Sequence, residues 1–204
     1  FRRVLFRSHY LGNLMRLYIG LMSGTSMDGI DAALVDVETH RCIAGITLGY
    51  SESTQQRLTK LSSSSQFFMN EYHALHRQLG EEFAEAACQL MKKVGLTAKD
   101  VIAIGSHGQT ICHDACHNPP YTVQLACPHT IAERTGLTVV ADFRTRDMIL
   151  GGQGAPFAPI YHQAIFAEDG EPIGKFAWRP IVFVLGANIA FGILLAGLPS
   201  LGVP

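Results

Sequence analysis

Charged residues are scarce in this chain. Asp, Glu, Lys and Arg make up 16% of its 204 residues, and the formal net charge is −1. Nothing in that balance favours nucleic acid or an anionic membrane as a partner. Cysteine is sparse as well. Cys42, Cys88, Cys112, Cys116 and Cys127 are an odd number without the spacing of a secreted disulfide framework. They read as reduced thiols in a cytoplasmic protein. No glycine-rich stretch is followed by the lysine of a Walker loop. Internal repeats and Pro-rich linkers are lacking, and the Ser62–Ser65 run is too short to divide domains.

Apolar residues are plentiful at 48%, enough to bury the core of one α/β domain, or of one lobe with the start of another. The excess lies towards the C-terminus, where no charge follows Arg179 and Ile181 to Leu201 is apolar apart from Asn188 and Ser200. That length alone would admit a membrane span. Gly186, Gly192, Gly197 and Pro199 instead favour a hairpin, buried or exposed, and the flanks lack anchoring aromatics and bases beyond Trp178 and Arg179. Residues 1–14 are basic and apolar without a signal-peptide cleavage site. Met15 is the better natural start, which makes 1–14 an upstream stretch or a remnant of cloning.

Between these ends the pattern is α/β. Residues 17–22, then Ile30 to Val37, then Cys42 to Leu48 read as three strands without an intervening helix, an antiparallel start unlike the βαβ opening of a Rossmann domain. Thr54 to Leu61 fits a short helix. Tyr72, Leu75, Leu79, Phe83, Ala86, Leu90 and Val94 recur at three- and four-residue steps, the signature of one helix face, and Lys92, Lys93 and Gly95 mark its end. His73 and His76 fall beside that stripe in a surface or structural role. Val101 to Ile104 reads as a strand ending at Gly105–Gly108, and Tyr121 to Leu125 as another. Pro128 opens a helix that Gly136 closes, followed by a buried strand at Leu137 to Ala141. Pro159 to Phe166 fits one more helix.

Four segments carry chemistry. Ser23 to Gly29 (SGTSMDG) combines hydroxyls with glycines that let backbone N–H groups approach an anion; an ordinary hairpin turn explains it equally well. Asp28 and Asp31 flank Gly29, either to hold a Mg²⁺-bound water or sugar hydroxyl, or as turn residues. Gly105 to Thr110 (GSHGQT) follows a buried strand, where α/β sheets bind ligands. His107, Gln109 and Thr110 there suit a polyhydroxylated substrate, although His107 alone could satisfy nearby backbone. Asp142 to Asp147 (DFRTRD) puts two Arg and two Asp within six residues. They are expected to pair with one another, or Arg144 or Arg146 grips a carboxylate. Gly151 to Pro156 (GGQGAP) surrounds Gln153 with glycines, for close approach or movement, or simply as a tight loop. Cys112, His113, Cys116 and His117 are zinc-type ligands, but with only Cys127 and His129 as further candidates they read as a solvated loop and not as a metal site.

Taken together, Tyr18–Asp36, Ile104–Ile111, Tyr121–Asp147 and Gly151–Phe166 resemble successive blocks of the anhydro-N-acetylmuramic acid kinase family, in order and spacing, over about residues 15–166. The resemblance implies an actin-like ATPase (ribonuclease H-like) lobe of the sugar kinase/Hsp70/actin type, with a mixed sheet that begins with antiparallel strands and is flanked by helices. It implies a cytoplasmic enzyme of cell-wall recycling that uses ATP and Mg²⁺ to phosphorylate the 6-oxygen of 1,6-anhydro-N-acetylmuramic acid while water opens the anhydro bridge at C1. Gly24, Thr25, Ser26, Met27, Asp28, Gly29, Ile30 and Asp31 match the segment around the ATP phosphates. His107, Gln109, Thr110, Arg144, Asp147 and Gln153 match the sugar side. The partner it implies is a small amino sugar, with a homodimer left open.

The departures from the family lie at the end. Val184 to Leu201 is a disturbed version of an NIGGIAN-like segment, and the GFDTGPGN-like segment bearing the catalytic Asp would begin where the chain stops. Residues 167–183 also match poorly. Residues 15–166 are therefore expected to form the N-terminal lobe and 167–204 a divergent start of the next. The chain by itself is expected to be inactive and prone to self-association through apolar surface meant for the remainder. A non-catalytic lobe that binds a ligand or partner is the competing reading.

Overall fold

The computed structural model describes residues 16–39, 41–63 and 68–154. The expectations for residues 1–14, for the helix at Pro159–Phe166 and for the C-terminal hairpin lie outside the described residues. In chain order the elements are β1 (Leu17–Ser23), β2 (Gly29–Asp36), β3 (Arg41–Gly49), α1 (Glu52–Ser63), α2 (Met69–Val94), a 3-10 turn at Ala98–Asp100, β4 (Ala103–Asp114), β5 (Tyr121–Leu125), α3 (Pro128–Thr135), β6 (Thr138–Val140) and α4 (Thr145–Ile149).

The strands make one six-stranded sheet in the order β3-β2-β1-β4-β5, with β6 pairing the first half of β4. The first three strands form the expected antiparallel meander, Leu17 opposite Asp36 and Gly29 opposite Gly49. The crossover through α1 and α2 then lays β4 parallel to β1, and β6 is parallel to β4 as well. Beyond Gln109, β4 pairs antiparallel with β5. A mixed sheet that begins with antiparallel strands and is flanked by helices is thus what the sequence pattern builds.

Alternation along β2 separates the two faces of the sheet. Ile30, Ala32 and Leu34 pack with Leu75, Leu79, Phe83, Ala86, Ala87 and Leu90 of α2 in the main core. Ala33 and Val35 point the other way, against Tyr18 and Ala103. Each large aliphatic or aromatic side chain buried this way contributes about 1.5–3 kcal/mol of transfer free energy. α2 ends where its sequence says it must. Gly95 adopts the left-handed conformation, its N–H reaches the Lys92 carbonyl and that of Leu96 the Met91 carbonyl, a Schellman closure.

The sequence reading had no helix at α4, and apart from shifts of one or two residues at other ends three elements differ from expectation. α1 extends through Ser62 and Ser63, whose hydroxyls bond back to the Thr59 carbonyl. β6 is trimmed to three residues. The larger correction concerns β4, which does not end at Gly105–Gly108 but runs on to Asp114. Among the described residues no helix is long and apolar enough to cross a membrane.

Candidate functional site

The C-terminal end of β1 and the middle of β4 meet at a polar centre. Between β1 and β2 the chain reverses in a tight turn closed by a hydrogen bond from the Met27 N–H to the Gly24 carbonyl (3.2 Å). Thr25, Ser26 and Asp28 are exposed on it. The Ser26 hydroxyl donates to Asp28 Oδ1 (2.7 Å), while the N–H groups of Thr25 and Ser26 donate to nothing among the described residues. Amides without a partner among the described residues, beside two hydroxyls, are groups suited to an anion. Met27 is left-handed (φ 54°), a costly conformation for a residue with a side chain, and that side chain packs against the main core. Ile30 fills the core, so its side chain is not available to a nucleotide. Asp31 accepts a hydrogen bond from the Thr47 hydroxyl of β3 (2.6 Å).

On β4, the register against β1 slips by one residue. Leu21 pairs with Ser106, Met22 with Gly108 and Ser23 with Gln109, so His107 is the extra residue of a bulge. Gly108 turns the chain there with φ 71°, and a Cβ on it would overlap the Leu125 carbonyl oxygen of β5, so only glycine fits. The slip brings Gln109 onto the same side as Ser23. Gln109 is fully buried. Its Oε1 lies 2.6 Å from the Ser23 hydroxyl, whose single proton is shared with the Gly29 carbonyl, also at 2.6 Å. Its Nε2 donates to the carbonyls of Gly24 and Thr110, both at 3.1 Å. Gln109, expected on the sugar side, has both polar atoms of its side chain engaged inside the fold. Thr110 is half-buried, and its hydroxyl accepts from Gln124 Nε2 of β5.

His107 and Arg144 form the second part of the site. The parallel pairing of β6 with β4 stops at Gly105–Val140, so the chain leaving β6 passes His107. Arg144 Nε donates to His107 Nε2 (2.9 Å) and Arg144 Nη1 to the Gly154 carbonyl (2.8 Å). An arginine cannot accept, so His107 Nε2 must, which makes the imidazole neutral with its proton on Nδ1. That proton points at the Gly108 carbonyl (3.0 Å). Burial, reinforced by the Arg144 charge, pushes the His107 pKa down to about 4, and the bond to Gly108 opposes the shift only partly. Asp147 accepts from the Gly154 N–H (2.7 Å) and so anchors the glycine loop that grips Arg144. Gln153 is exposed at the tip of that loop.

The structure thus joins the GSHGQT, DFRTRD and GGQGAP segments through His107, Arg144, Asp147 and Gly154. It does not form the anticipated ion pairs within DFRTRD. Among the described residues Arg144 is held by two neutral acceptors, and Asp142 accepts from the Thr145 N–H. A half-buried guanidinium with no carboxylate beside it among the described residues is chemically suited to an anion. At the Cys/His loop, Asp114 Oδ1 caps the N–H groups of Cys116 and His117, and no group of three His, Cys, Asp or Glu able to hold a metal converges among the described residues. Sequence reasoning placed Ser23 in the SGTSMDG segment without singling it out, and it missed Tyr50 as a member of the centre. The Tyr50 N–H donates to the Asp28 carbonyl (3.2 Å). Burial pushes its phenol above the usual range against the pull of the Ser23 hydroxyl, although its buried Oη makes no hydrogen bond of good geometry. A serine closing a strand before a glycine turn was the available signal for Ser23. Tyr50 had none.

Residues 16–175 match the family described as anhydro-N-acetylmuramic acid kinase. An anhydro-N-acetylmuramic acid kinase of Legionella pneumophila strain Philadelphia 1 is 54% identical over 159 residues, 78% of this chain and 43% of that protein. The enzyme of strain Lens is 53% identical over the same shares. The chain therefore spans less than half the length of these curated relatives. A solved reductive activator for corrinoid, iron–sulfur protein overlays with a TM-score of 0.41 at 12% identity, over 63% of this chain and 23% of its own, too faint a likeness to build on. With one match extending over most of its length and relatives at such identity, this chain belongs to the anhydro-N-acetylmuramic acid kinase family.

Proposed function

We propose that this chain is the N-terminal, ligand-holding portion of a cytoplasmic ATP-dependent kinase. That kinase phosphorylates 1,6-anhydro-N-acetylmuramic acid and opens its anhydro ring with water, giving N-acetylmuramic acid 6-phosphate. Residues 15–166 make up its N-terminal lobe and 167–204 the start of the next. Turnover belongs to the full family length, and this portion alone binds without reacting. Identity of 54% to named kinases supports the reaction class. The observation that carries the substrate is Arg144, fixed by His107 and Gly154 and facing no acid among the described residues. The substrate's lactyl carboxylate supplies the missing anion.

In this reading the exposed Gly24–Gly29 turn receives the ATP phosphates on its free amides and hydroxyls. Phosphoryl transfer asks mainly for such positioning and charge neutralisation. Mg²⁺ fits a site with exposed carboxylate and hydroxyl oxygens, since it keeps most of its waters. Asp28 would hold it, with Asp31 behind, and its charge would neutralise the phosphates. In this reading His107 is not the base that activates water. Its lone pair is occupied by Arg144, and with a pKa near 4 it is a poor proton acceptor. It orients Arg144 instead, and the base lies on another part of the enzyme.

The test is ADP release with the anhydro sugar and Mg-ATP, run on this chain and on a form extended to the family's full length. Only the extended form is expected to turn over. In it, Arg144→Met removes one charge-assisted contact and should raise the KM for sugar about 10- to 100-fold while leaving that for ATP within about twofold. An inactive extended form that still binds sugar would favour the non-catalytic lobe. A sugar KM unmoved by the substitution would remove Arg144 from the pocket.

A further inference from the structure

We infer that Gln109 is a positioning residue that fastens the β1–β2 turn to β4 and thereby sets the nucleotide loop relative to the His107–Arg144 pocket. The identity of the two ligands rests on the proposed function; the fastening does not.

The turn is weakly determined by itself. It has one internal backbone hydrogen bond, three exposed polar residues and a left-handed Met27. Such a conformation persists only when its surroundings impose it. Among the described residues, two side-chain hydrogen bonds join Ser23 and Gly24 to β4 through Gln109: Ser23 donates to its Oε1, and its Nε2 donates to the Gly24 carbonyl. Its amide orientation is unambiguous, because two carbonyls, of Gly24 and Thr110, require the nitrogen on that side. Two residues earlier, on the far side of the Gly108 kink, His107 grips Arg144. A single bulged stretch of β4 therefore holds the phosphate turn with one side chain and the sugar-side arginine with another. Displacing Gln109 frees the first grip and leaves the second in place. A residue that only filled the core would loosen both.

The experiment uses the 204-residue chain and its full-length form, with Gln109→Met, which keeps the shape and removes the amide, Ser23→Ala as the milder variant, and the pair combined. Amide exchange of residues 24–28 is read beside the affinities for a Mg-bound non-hydrolysable ATP analogue and for the anhydro sugar. Exchange in the turn should rise, and nucleotide affinity should fall about tenfold, as for the loss of one buried hydrogen bond. Sugar affinity should stay within about twofold. The double variant should cost little more than Gln109→Met alone, because both act through one link. Unchanged exchange in the turn, additive effects of the two substitutions, or an equal fall in both affinities would overturn the proposal. Should the wild-type chain bind no nucleotide in either form, the kinase reading fails, and the exchange and additivity arms still decide whether the fastening exists.

Discussion

On the α2 side of the sheet, Leu75, Leu79, Phe83, Leu90, Ile19, Ile30 and Leu34 are sealed from solvent with no polar atom to satisfy. At the end of β1 and along the bulge of β4, the same sheet buries Ser23, His107 and Gln109, turns left-handed at Met27 and Gly108, and depends on individual hydrogen bonds. The first region is specified by volume and period, so many apolar sequences would serve. The second is specified by donors and acceptors at fixed positions, and one atom exchanged changes what it can do. Its buried polar groups contribute less to stability than the core does, and each is costly to leave without its partner.

Substitutions test that division. The largest effect is expected in the core: Phe83→Ala leaves a cavity beneath β1 and β2 and should lower the free energy of unfolding by about 3–5 kcal/mol in denaturant titrations. A loss below about 1 kcal/mol would mean that the helix face is not the main stabilising layer. The next effect sharpens the polar side. Folded His107 takes up its proton only near pH 4, whereas in the unfolded chain it does so near 6.5. Between those values the unfolded state binds more protons. The contribution is therefore whole above about pH 6.5 and is lost as the pH falls through about 4, amounting to about 3 kcal/mol. His107→Gln should flatten the stability profile across that window relative to wild type, and parallel profiles would show that His107 titrates normally. The smallest effect belongs to neither region. Glu81 sits 3.8 Å from both Arg77 and Arg134 on the exposed side of α2, and Glu81→Gln should change stability by no more than about 0.5 kcal/mol.

The division also explains what could be read from the residues alone. α2 and α3 were legible to within a few residues, because an apolar stripe, a first-turn proline and left-handed glycines at Gly95 and Gly136 are local signals. The antiparallel meander was legible for the same reason. The course of β4 was not. Glycines at 105 and 108 look like a strand end, yet Gly105 lies beside Gly20 within the ladder and Gly108 sits at a bulge. That bulge changes which face Gln109 occupies, and a one-residue slip leaves no trace in composition. The four segments that meet there were picked out, but their wiring was not, and Tyr50 lies outside all of them. Arg144 had Asp142 and Asp147 close in sequence and bonded to His107, 37 residues away, instead.

The pairing of β1 with β4 has a consequence for how the molecule assembles. β1, β2 and β3 join through short reversals and can zip together soon after collapse. Ser23 and Gln109 are 86 residues apart and meet only after both long helices have closed the intervening chain. By sequence separation, that link is thus expected to form after the meander, whose β1–β2 turn would first exist without it.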